Sequence, residues 1–172
     1  MNVLELLAKV NVLIFDVDGV LTNGQLTLLD NGEMARTMHI KDGYALQLAI
    51  KKGYQIIIIS GGNSIAVKNR LQKLGIKELY FDIKNKEILL ATIIQNYKYT
   101  QPQMMYMGDD IPDVAPMKMV GVACAPADAV QEVLSIAHYI SPVAGGWGCV
   151  RDVIEKILKL QHNWQDGEVA SV

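Results

Sequence analysis

Leu13-Ile-Phe-Asp16-Val-Asp18-Gly19-Val-Leu-Thr22 joins the end of an apolar run to two acidic residues and a glycine. Its apolar run starts at Val10 and is typical of a strand that is buried on both faces. The run ends in two carboxylates, followed by Gly19, which lets the backbone approach a ligand closely. Open α/β sheets place their chemistry at the carboxyl ends of their strands. We therefore expect Asp16 and Asp18 to supply a nucleophile and a proton carrier beside an anion-binding loop.

The rest of the chain alternates between short apolar strands and amphipathic helices. This alternation predicts a Rossmann-like, doubly wound, mostly parallel α/β sheet in a single domain over residues 1–161. Asp42 is expected to cap a helix that ends near Gly53. Residues 162–172 lack periodicity and are predicted to be a flexible tail. The predicted strands cover residues 10–16, 55–60, 78–81, 104–108, 121–124 and 138–140, and the predicted helices cover residues 2–9, 42–53, 64–74, 85–97, 112–119, 128–136 and 149–161.

One segment, residues 24–40, interrupts this alternation. It carries Asp30-Asn31-Gly32 between two alternating apolar segments, which is a strong signal for a β-hairpin. The hairpin directly follows the strand that carries Asp16 and Asp18. We therefore expect it to touch the site at that strand end rather than to extend the sheet.

Composition narrows the classes of partner and compartment. The 172 residues are 51% hydrophobic and carry a net charge of −2, which argues against nucleic acid or an anionic membrane as a partner. Cys124 and Cys149 are too few for a disulfide framework and fit a reducing compartment. No apolar stretch approaches the ~20 residues of a membrane span, and the N-terminus shows no signal peptide. The expected location is the cytoplasm.

Polar side chains that follow several strands are predicted to meet at one edge of the sheet. Several carboxylates there would repel one another unless a cation lay among them, and carboxylate oxygens suit Mg²⁺. Lys86 and Ser60 would then contact a phosphoryl group, together with backbone N–H groups near Gly19 and Gly61. The residues of this edge are Asp16, Asp18, Gly19, Ser60, Gly61, Lys86, Asp109, Asp110 and Asp113.

This set resembles the four motifs of the haloacid dehalogenase superfamily of phosphotransferases, matched in order over residues 11–115 or so. The resemblance implies that Asp16 is the nucleophile and that Asp18 is first the general acid and then the general base. It further implies that Mg²⁺ is bound by Asp16, the Asp18 carbonyl and Asp109, with support from Asp110 or Asp113 through water. Ser60 and Lys86 would hold the phosphoryl group. An aspartate at the second position indicates a phosphatase.

The chain has no room for a cap domain, since only the hairpin follows the first motif and only residues 61–85 separate Ser60 from Lys86. The hairpin and the glycine-rich stretch Gly145–Asp152 are similar to those of the capless 3-deoxy-D-manno-octulosonate 8-phosphate phosphatase family. The resemblance implies a homotetramer with sites shared between subunits. It also implies that the 144–152 segment can act as a lid.

One position departs from the family pattern. An arginine often follows the Ser/Thr-Gly pair of the second motif and meets the sugar acid, whereas this chain has Gly62 and Asn63 there. Lys68 and Arg70 on the following helix could supply the missing charge, and Arg151 is a further candidate contact. The departure leaves open whether the substrate is the eight-carbon ester or a nine-carbon ulosonate 9-phosphate.

The leading hypothesis is a Mg²⁺-dependent phosphatase that releases 3-deoxy-D-manno-octulosonate for lipopolysaccharide assembly, with a sugar-acid phosphate as its small-molecule partner. A non-catalytic oligomerisation or regulatory module is the alternative from another class, and the intact catalytic set disfavours it. A phosphatase acting on protein or polynucleotide is a third possibility, disfavoured by the charge balance and the hairpin.

Overall fold

A computed structural model describes residues 2–164, and its centre is a six-stranded sheet. The strands are β1 (Val12–Phe15), β4 (Gln55–Ile59), β5 (Glu78–Tyr80), β6 (Met104–Met107), β7 (Val122–Ala125) and β8 (Tyr139–Ile140). They lie in the order β5-β4-β1-β6-β7-β8, and every pairing is parallel. The predicted doubly wound α/β fold is confirmed.

Helices cover both faces of the sheet, so the alternation of side chains along a strand divides the core in two. Leu13 and Phe15 of β1 pack into the larger cluster, whereas Val12 and Ile14 pack into the other. The helices are α1 (Val3–Leu7), α2 (Ile40–Lys51), α3 (Ile65–Lys73), α4 (Lys86–Tyr97), α5 (Ile111–Met117), α6 (Gln131–Leu134) and α7 (Cys149–Leu160). No helix within residues 2–164 is long and apolar enough to cross a membrane.

The predicted hairpin is present after β1. Its strands β2 (Thr27–Leu28) and β3 (Met34–Ala35) are antiparallel, and Gly32 in the turn has a positive φ of 83°. A bridge between Thr22 and Met38 closes its base. The apolar side chains of Leu26, Leu28, Leu29 and Met34 are exposed on it.

The predicted role of Asp42 as the cap of its own helix is wrong. Helix α2 begins at Ile40 after His39, so Asp42 lies inside its first turn and is buried. Its Oδ1 instead accepts a hydrogen bond of 2.7 Å from the backbone N–H of Arg151 in the first turn of α7. The carboxylate therefore caps a different helix and ties α2 to α7.

The beginning of the predicted flexible tail is also packed rather than free. The Asn163 N–H donates to the Leu158 carbonyl at 2.7 Å, and the ring of Trp164 meets that of Tyr44 edge-on, 6.2 Å between centroids. The guanidinium of Arg151 lies over both rings. The prediction for residues 165–172 falls outside the described residues.

Candidate active site

The carboxyl ends of β1, β4 and β6 meet at one edge of the sheet and bring three sequence motifs together. Asp16 directly follows β1 and donates its backbone N–H to the Met107 carbonyl at the end of β6, at 3.0 Å. A tight helical turn over Val17–Leu21 follows, in which Gly19 has a φ of 89°. A Cβ at Gly19 would overlap the carboxylate of Asp109, so only glycine fits between this turn and β6.

The carboxylates of Asp16, Asp109 and Asp113 form a compact cluster at this edge. One oxygen from each lies within 4.8 Å of the others. Lys86, the first residue of α4, places its Nζ 2.9 Å from Asp16 Oδ1 and 2.7 Å from Asp113 Oδ1. Asn85 starts that helix by accepting a hydrogen bond from the N–H of Ile88, which fixes where Lys86 enters the cluster.

Burial and mutual repulsion disfavour the charged forms of these acids. Burial, reinforced by the charge of Asp113 and opposed by Lys86, raises the pKa of Asp16 to about 7. Burial, together with the charges of Asp16 and Asp113, raises the pKa of Asp109 to about 8. Burial by itself would lower the pKa of Lys86, but the carboxylates of Asp16 and Asp113 outweigh it, so that pKa is raised.

The cluster fits a divalent cation. Asp109 Oδ1 is buried and has no hydrogen-bond partner among the described residues. A buried carboxylate oxygen without a donor is costly, and a hard cation among oxygen ligands would remove that cost. Three carboxylates carry more negative charge than the single ammonium of Lys86 can balance, and the same cation would offset the remainder. Asp16 and Asp109 therefore have both the position and the chemistry of metal ligands.

Asp113 is the most fully engaged of the three carboxylates. Besides Lys86, it accepts hydrogen bonds from the Tyr106 hydroxyl at 2.8 Å and from the backbone N–H groups of Asp109 and Asp110 at 3.2 and 3.4 Å. It thus anchors both Lys86 and the loop that carries Asp109. Asp110 is exposed and caps α5 by accepting from the Ile111 N–H at 2.7 Å. Tyr106 was missed in the sequence because it lies within an apolar strand.

Asp18 lies at the outer side of the site and has a different partner. Arg36, just after β3 of the hairpin, places its Nε 2.6 Å from Asp18 Oδ1 and its Nη2 3.3 Å from Asp18 Oδ2. Only 8% of the Arg36 side chain is exposed. The expectation that the hairpin touches the site is therefore confirmed. Arg36 itself was not predicted.

The β4 end contributes Ser60 and two glycines. Ser60 is buried, and its Oγ accepts a hydrogen bond from the Gly62 N–H at 3.1 Å. A Cβ at Gly62 would lie 2.8 Å from Asp18 Oδ2, 3.3 Å from Arg36 Nη2 and 3.5 Å from Ser60 Oγ. Gly61 is exposed beside it. These distances place Ser60, Asp18 and Arg36 around the same small volume.

The glycine-rich segment before α7 packs against the turn that follows Asp18. The Gly146 N–H donates to the Val20 carbonyl at 2.9 Å, and the Gly145 N–H donates to Asp128 Oδ1 at 2.8 Å. A Cβ at Gly145 would overlap the Gly19 carbonyl. In this structure the segment predicted to act as a lid therefore supports the active-site turn from one side.

The three candidate substrate contacts lie in different surroundings. Lys68 is exposed on α3. Arg70, half-buried on the same helix, has its Nη2 3.0 Å from the position that a Cβ at Gly43 would take. Arg151 is engaged by the aromatic rings of α2 and the C-terminal segment, and its Nε donates to Glu155 at 3.1 Å. The aromatic and carboxylate contacts of Arg151 give it a structural role.

Comparison with known proteins places this site in a family. Residues 78–148 match the model of the haloacid dehalogenase-like hydrolases. The 3-deoxy-D-manno-octulosonate 8-phosphate phosphatase KdsC of Escherichia coli strain K12 is 32% identical over 164 residues, which cover 95% of this chain and 87% of that protein. The chain belongs to this phosphatase family. Like its relatives, it is a phosphoric monoester hydrolase.

Solved structures agree with the family assignment. The phosphatase of the same name from Yersinia pestis superposes with a TM-score of 0.91 at 32% identity, covering 94% of this chain and 88% of that one. The Moraxella catarrhalis phosphatase, solved with a magnesium ion, a phosphate ion and a KDO molecule, gives a TM-score of 0.90 at 30% identity, covering 95% and 94%. The family's fold extends over nearly the whole chain.

Proposed function

We propose that this chain is a Mg²⁺-dependent phosphatase that hydrolyses 3-deoxy-D-manno-octulosonate 8-phosphate to the free sugar acid and phosphate. The observation that carries the proposal is the cluster of Asp16, Asp109 and Lys86 at the strand ends, in which Asp109 has a buried carboxylate oxygen without a hydrogen-bond partner among the described residues. The proposal is supported by relatives that bear this activity in their names. The product would feed lipopolysaccharide assembly in the cytoplasm.

Asp16 is the proposed nucleophile. The Nζ of Lys86 lies 2.9 Å from one oxygen of Asp16 and fixes that side chain. It also offsets the negative charge of the Asp16 carboxylate, which would otherwise repel the anionic phosphoryl group that it attacks. A carboxylate oxygen of Asp16 forms a bond to phosphorus while the bond from phosphorus to the sugar oxygen breaks. Asp18 gives its proton to the departing oxygen, so the products of this step are an aspartyl-phosphate and the free sugar acid.

The second step regenerates the enzyme. Asp18, now a carboxylate, takes a proton from a water molecule whose oxygen attacks phosphorus, and the bond from phosphorus to Asp16 breaks. Ser60 and the backbone N–H groups of Gly19 and Gly61 are proposed to hold the phosphoryl oxygens. Mg²⁺, held by Asp16, Asp109 and the Asp18 carbonyl with Asp110 or Asp113 in support, would supply charge stabilisation of those oxygens.

A homotetramer with sites shared between subunits is part of the proposal. Its support is the hairpin, which exposes the apolar side chains of Leu28 and Met34 close to the Arg36 that reaches the site. Apolar side chains of this size are more stable when another subunit covers them. The substrate and Mg²⁺ are the partners proposed besides further copies of this chain; nucleic acid and membrane are not.

A nine-carbon ulosonate 9-phosphate is the second candidate substrate. Gly62 favours it, because the family's arginine is missing from the position expected to meet the sugar acid. The chemistry at Asp16 and Asp18 would be the same for both esters. Only the contacts to the leaving group would differ.

The experiment is an assay of phosphate release from the eight-carbon ester, a nine-carbon ulosonate 9-phosphate and an aryl phosphate, with Mg²⁺ and after chelation. We expect a Mg²⁺-dependent preference of at least about tenfold in kcat/KM for the eight-carbon ester, worth about 1.4 kcal/mol of transition-state binding. A preference for the nine-carbon ester would identify that ester as the substrate and leave the proposed mechanism unchanged. No turnover of any ester would favour the non-catalytic module instead.

A further inference from the structure

Arg36 pairs with Asp18 in a geometry that satisfies both carboxylate oxygens. Its Nε and Nη2 contact Oδ1 and Oδ2 at 2.6 and 3.3 Å, and its Nη1 donates to the Met34 carbonyl at 3.0 Å. The two-point contact is the fork geometry that makes arginine selective for planar carboxylates. The hairpin therefore presents a carboxylate-binding group beside the proposed general acid.

The space for this guanidinium exists because residue 62 has no side chain. A Cβ at Gly62 would lie 3.3 Å from Arg36 Nη2 and 2.8 Å from Asp18 Oδ2, closer than nearly all Cβ contacts in proteins. Nothing larger than glycine fits there without moving the pair. A cation from the hairpin thus fills the volume next to the loop where the family often carries an arginine.

The pair as observed cannot carry out the chemistry proposed for Asp18. A general acid has to place one of its oxygens within hydrogen-bond reach of the leaving oxygen, whereas both oxygens of Asp18 face Arg36. The pair has to loosen when substrate binds. A guanidinium whose side chain is 92% buried, and which loses its carboxylate, needs another anion to avoid a large desolvation cost.

We propose that Arg36 binds the carboxylate of the substrate's sugar acid and exchanges Asp18 for it when the substrate enters. The exchange releases Asp18, which takes up a proton from solvent water and faces the leaving oxygen, so substrates with a carboxylate in the leaving group are selected. This inference rests on the proposed function, because it needs a leaving group that is an acid. It makes Arg36 the specificity-determining residue that replaces the family's arginine.

The test compares two esters that differ only in the group that Arg36 would bind: the eight-carbon ester and its C1 carboxamide, both with saturating Mg²⁺. We expect wild-type kcat/KM to be about 10- to 100-fold higher for the carboxylate, the range for a charge-assisted two-point contact. Arg36→Gln is expected to lose that factor on the carboxylate ester and to change less than about threefold on the carboxamide. Arg36→Lys is expected to fall between the two, because lysine keeps the charge without the fork.

The control variant is Lys73→Met, which removes an exposed cation of α3 and is expected to retain the wild-type preference. Circular dichroism and sedimentation establish that each variant keeps its fold and assembly. Equal losses on both esters in Arg36→Gln and Arg36→Lys would overturn the inference, since they would show that Arg36 only positions Asp18. An unchanged preference of Arg36→Gln for the carboxylate ester over the carboxamide would overturn it too. Failure of the proposed function is distinguishable, because the wild type would then hydrolyse neither ester.

Discussion

Asp16 and Asp18 are separated by a single residue, yet they belong to two differently built halves of the site. The side chain of Asp16 is 10% exposed and is held by Lys86 at the start of α4. The side chain of Asp18 is 36% exposed and is held by Arg36 from the inserted hairpin. The nucleophile is thus fixed by the core of the fold, whereas the proton carrier depends on a surface insertion.

This difference assigns separate tasks to the two halves. Strand ends that pack in a shared core keep the phosphoryl site constant, because moving any one of them would disturb the sheet. A hairpin outside the sheet can change its residues without that cost. We call Asp16 with Lys86 the sheet half of the site and Asp18 with Arg36 the hairpin half. We therefore expect the sheet half to determine whether an ester is hydrolysed and the hairpin half to determine which ester is hydrolysed.

The largest effect is expected when the sheet half loses its nucleophile. Asp16→Asn should lower kcat by about 10⁴-fold or more, since an amide cannot form the aspartyl-phosphate. Stability should change little, because the replacement removes one charge from a crowded set of carboxylates. The measurements are phosphate release and thermal unfolding, with Asp30→Asn at the exposed hairpin turn as the matched control. Retention of more than about one hundredth of the activity would rule out this role for Asp16.

A buried carboxylate outside the site gives the next largest effect. The Oδ2 of Asp42 is buried and has no hydrogen-bond partner among the described residues. Burial, opposed by the Arg151 N–H and the Arg151 charge, raises the pKa of Asp42 from 3.8 to about 6. A raised pKa makes the folded state hold its proton longer, so this contribution to stability is full below pH 4 and is lost as the pH rises through 6.

Asp42→Asn removes that dependence and keeps an oxygen to accept from the Arg151 N–H. The free energy of unfolding of the wild type, relative to the variant, should therefore fall by about 3 kcal/mol between pH 4 and pH 8. Urea unfolding with saturating Mg²⁺ at several pH values measures this difference. A difference that is constant with pH would contradict the raised pKa.

The pH dependence of the Mg²⁺ affinity tests the raised pKa values of Asp16 and Asp109. Without metal, the pKa values of Asp16 and Asp109 are raised to about 7 and about 8, and both acids have to lose their protons to bind the cation. The affinity should rise about tenfold or more between pH 6 and pH 8. The stability of the metal-free protein should fall over the same window, because its raised pKa values favour the folded state only at lower pH.

Calorimetric titration in buffers of different ionisation enthalpy counts the protons released on binding. At pH 7 a pKa of about 7 leaves Asp16 about half protonated, so Asp16→Asn should release about half a proton fewer than the wild type. An affinity that is independent of pH, with no proton release, would mean that the cation binds elsewhere.

The sheet half was predictable from the sequence, and the hairpin half only in part. Asp16, Lys86, Asp109 and Asp113 follow strands or begin helices whose apolar patterns are clear, and parallel strands bring their ends together. Arg36 gave no such signal, because its contact with Asp18 depends on how a short hairpin folds back over the sheet. Gly62 was the available hint, since a missing side chain leaves room for another residue.

Helix starts were the other weak point. Asp42 precedes an apolar helical pattern and therefore resembles a cap, but helix α2 starts two residues earlier, at Ile40. That shift places the carboxylate on the buried side, where it caps α7. Which helix a buried acid serves depends on long-range packing, which local sequence patterns do not report.

The smallest expected effect is the difference between alanine substitutions at Gly61 and Gly62, the two glycines of the second motif. Gly62→Ala places a methyl group 2.8 Å from Asp18 Oδ2 and 3.3 Å from Arg36 Nη2, whereas the nearest contact of a methyl group at Gly61 is the Ile83 carbonyl at 3.7 Å. Gly62→Ala should therefore lower kcat/KM for the eight-carbon ester by about fivefold, through displacement of the Asp18–Arg36 pair. Gly61→Ala should cost less, because its methyl group meets only ordinary van der Waals contact.

The comparison needs thermal unfolding alongside the kinetics, since a loss of stability in Gly62→Ala alone would indicate a general distortion of the loop. Equal kinetic losses in the two variants would mean that the hairpin half has no separate control over the leaving group.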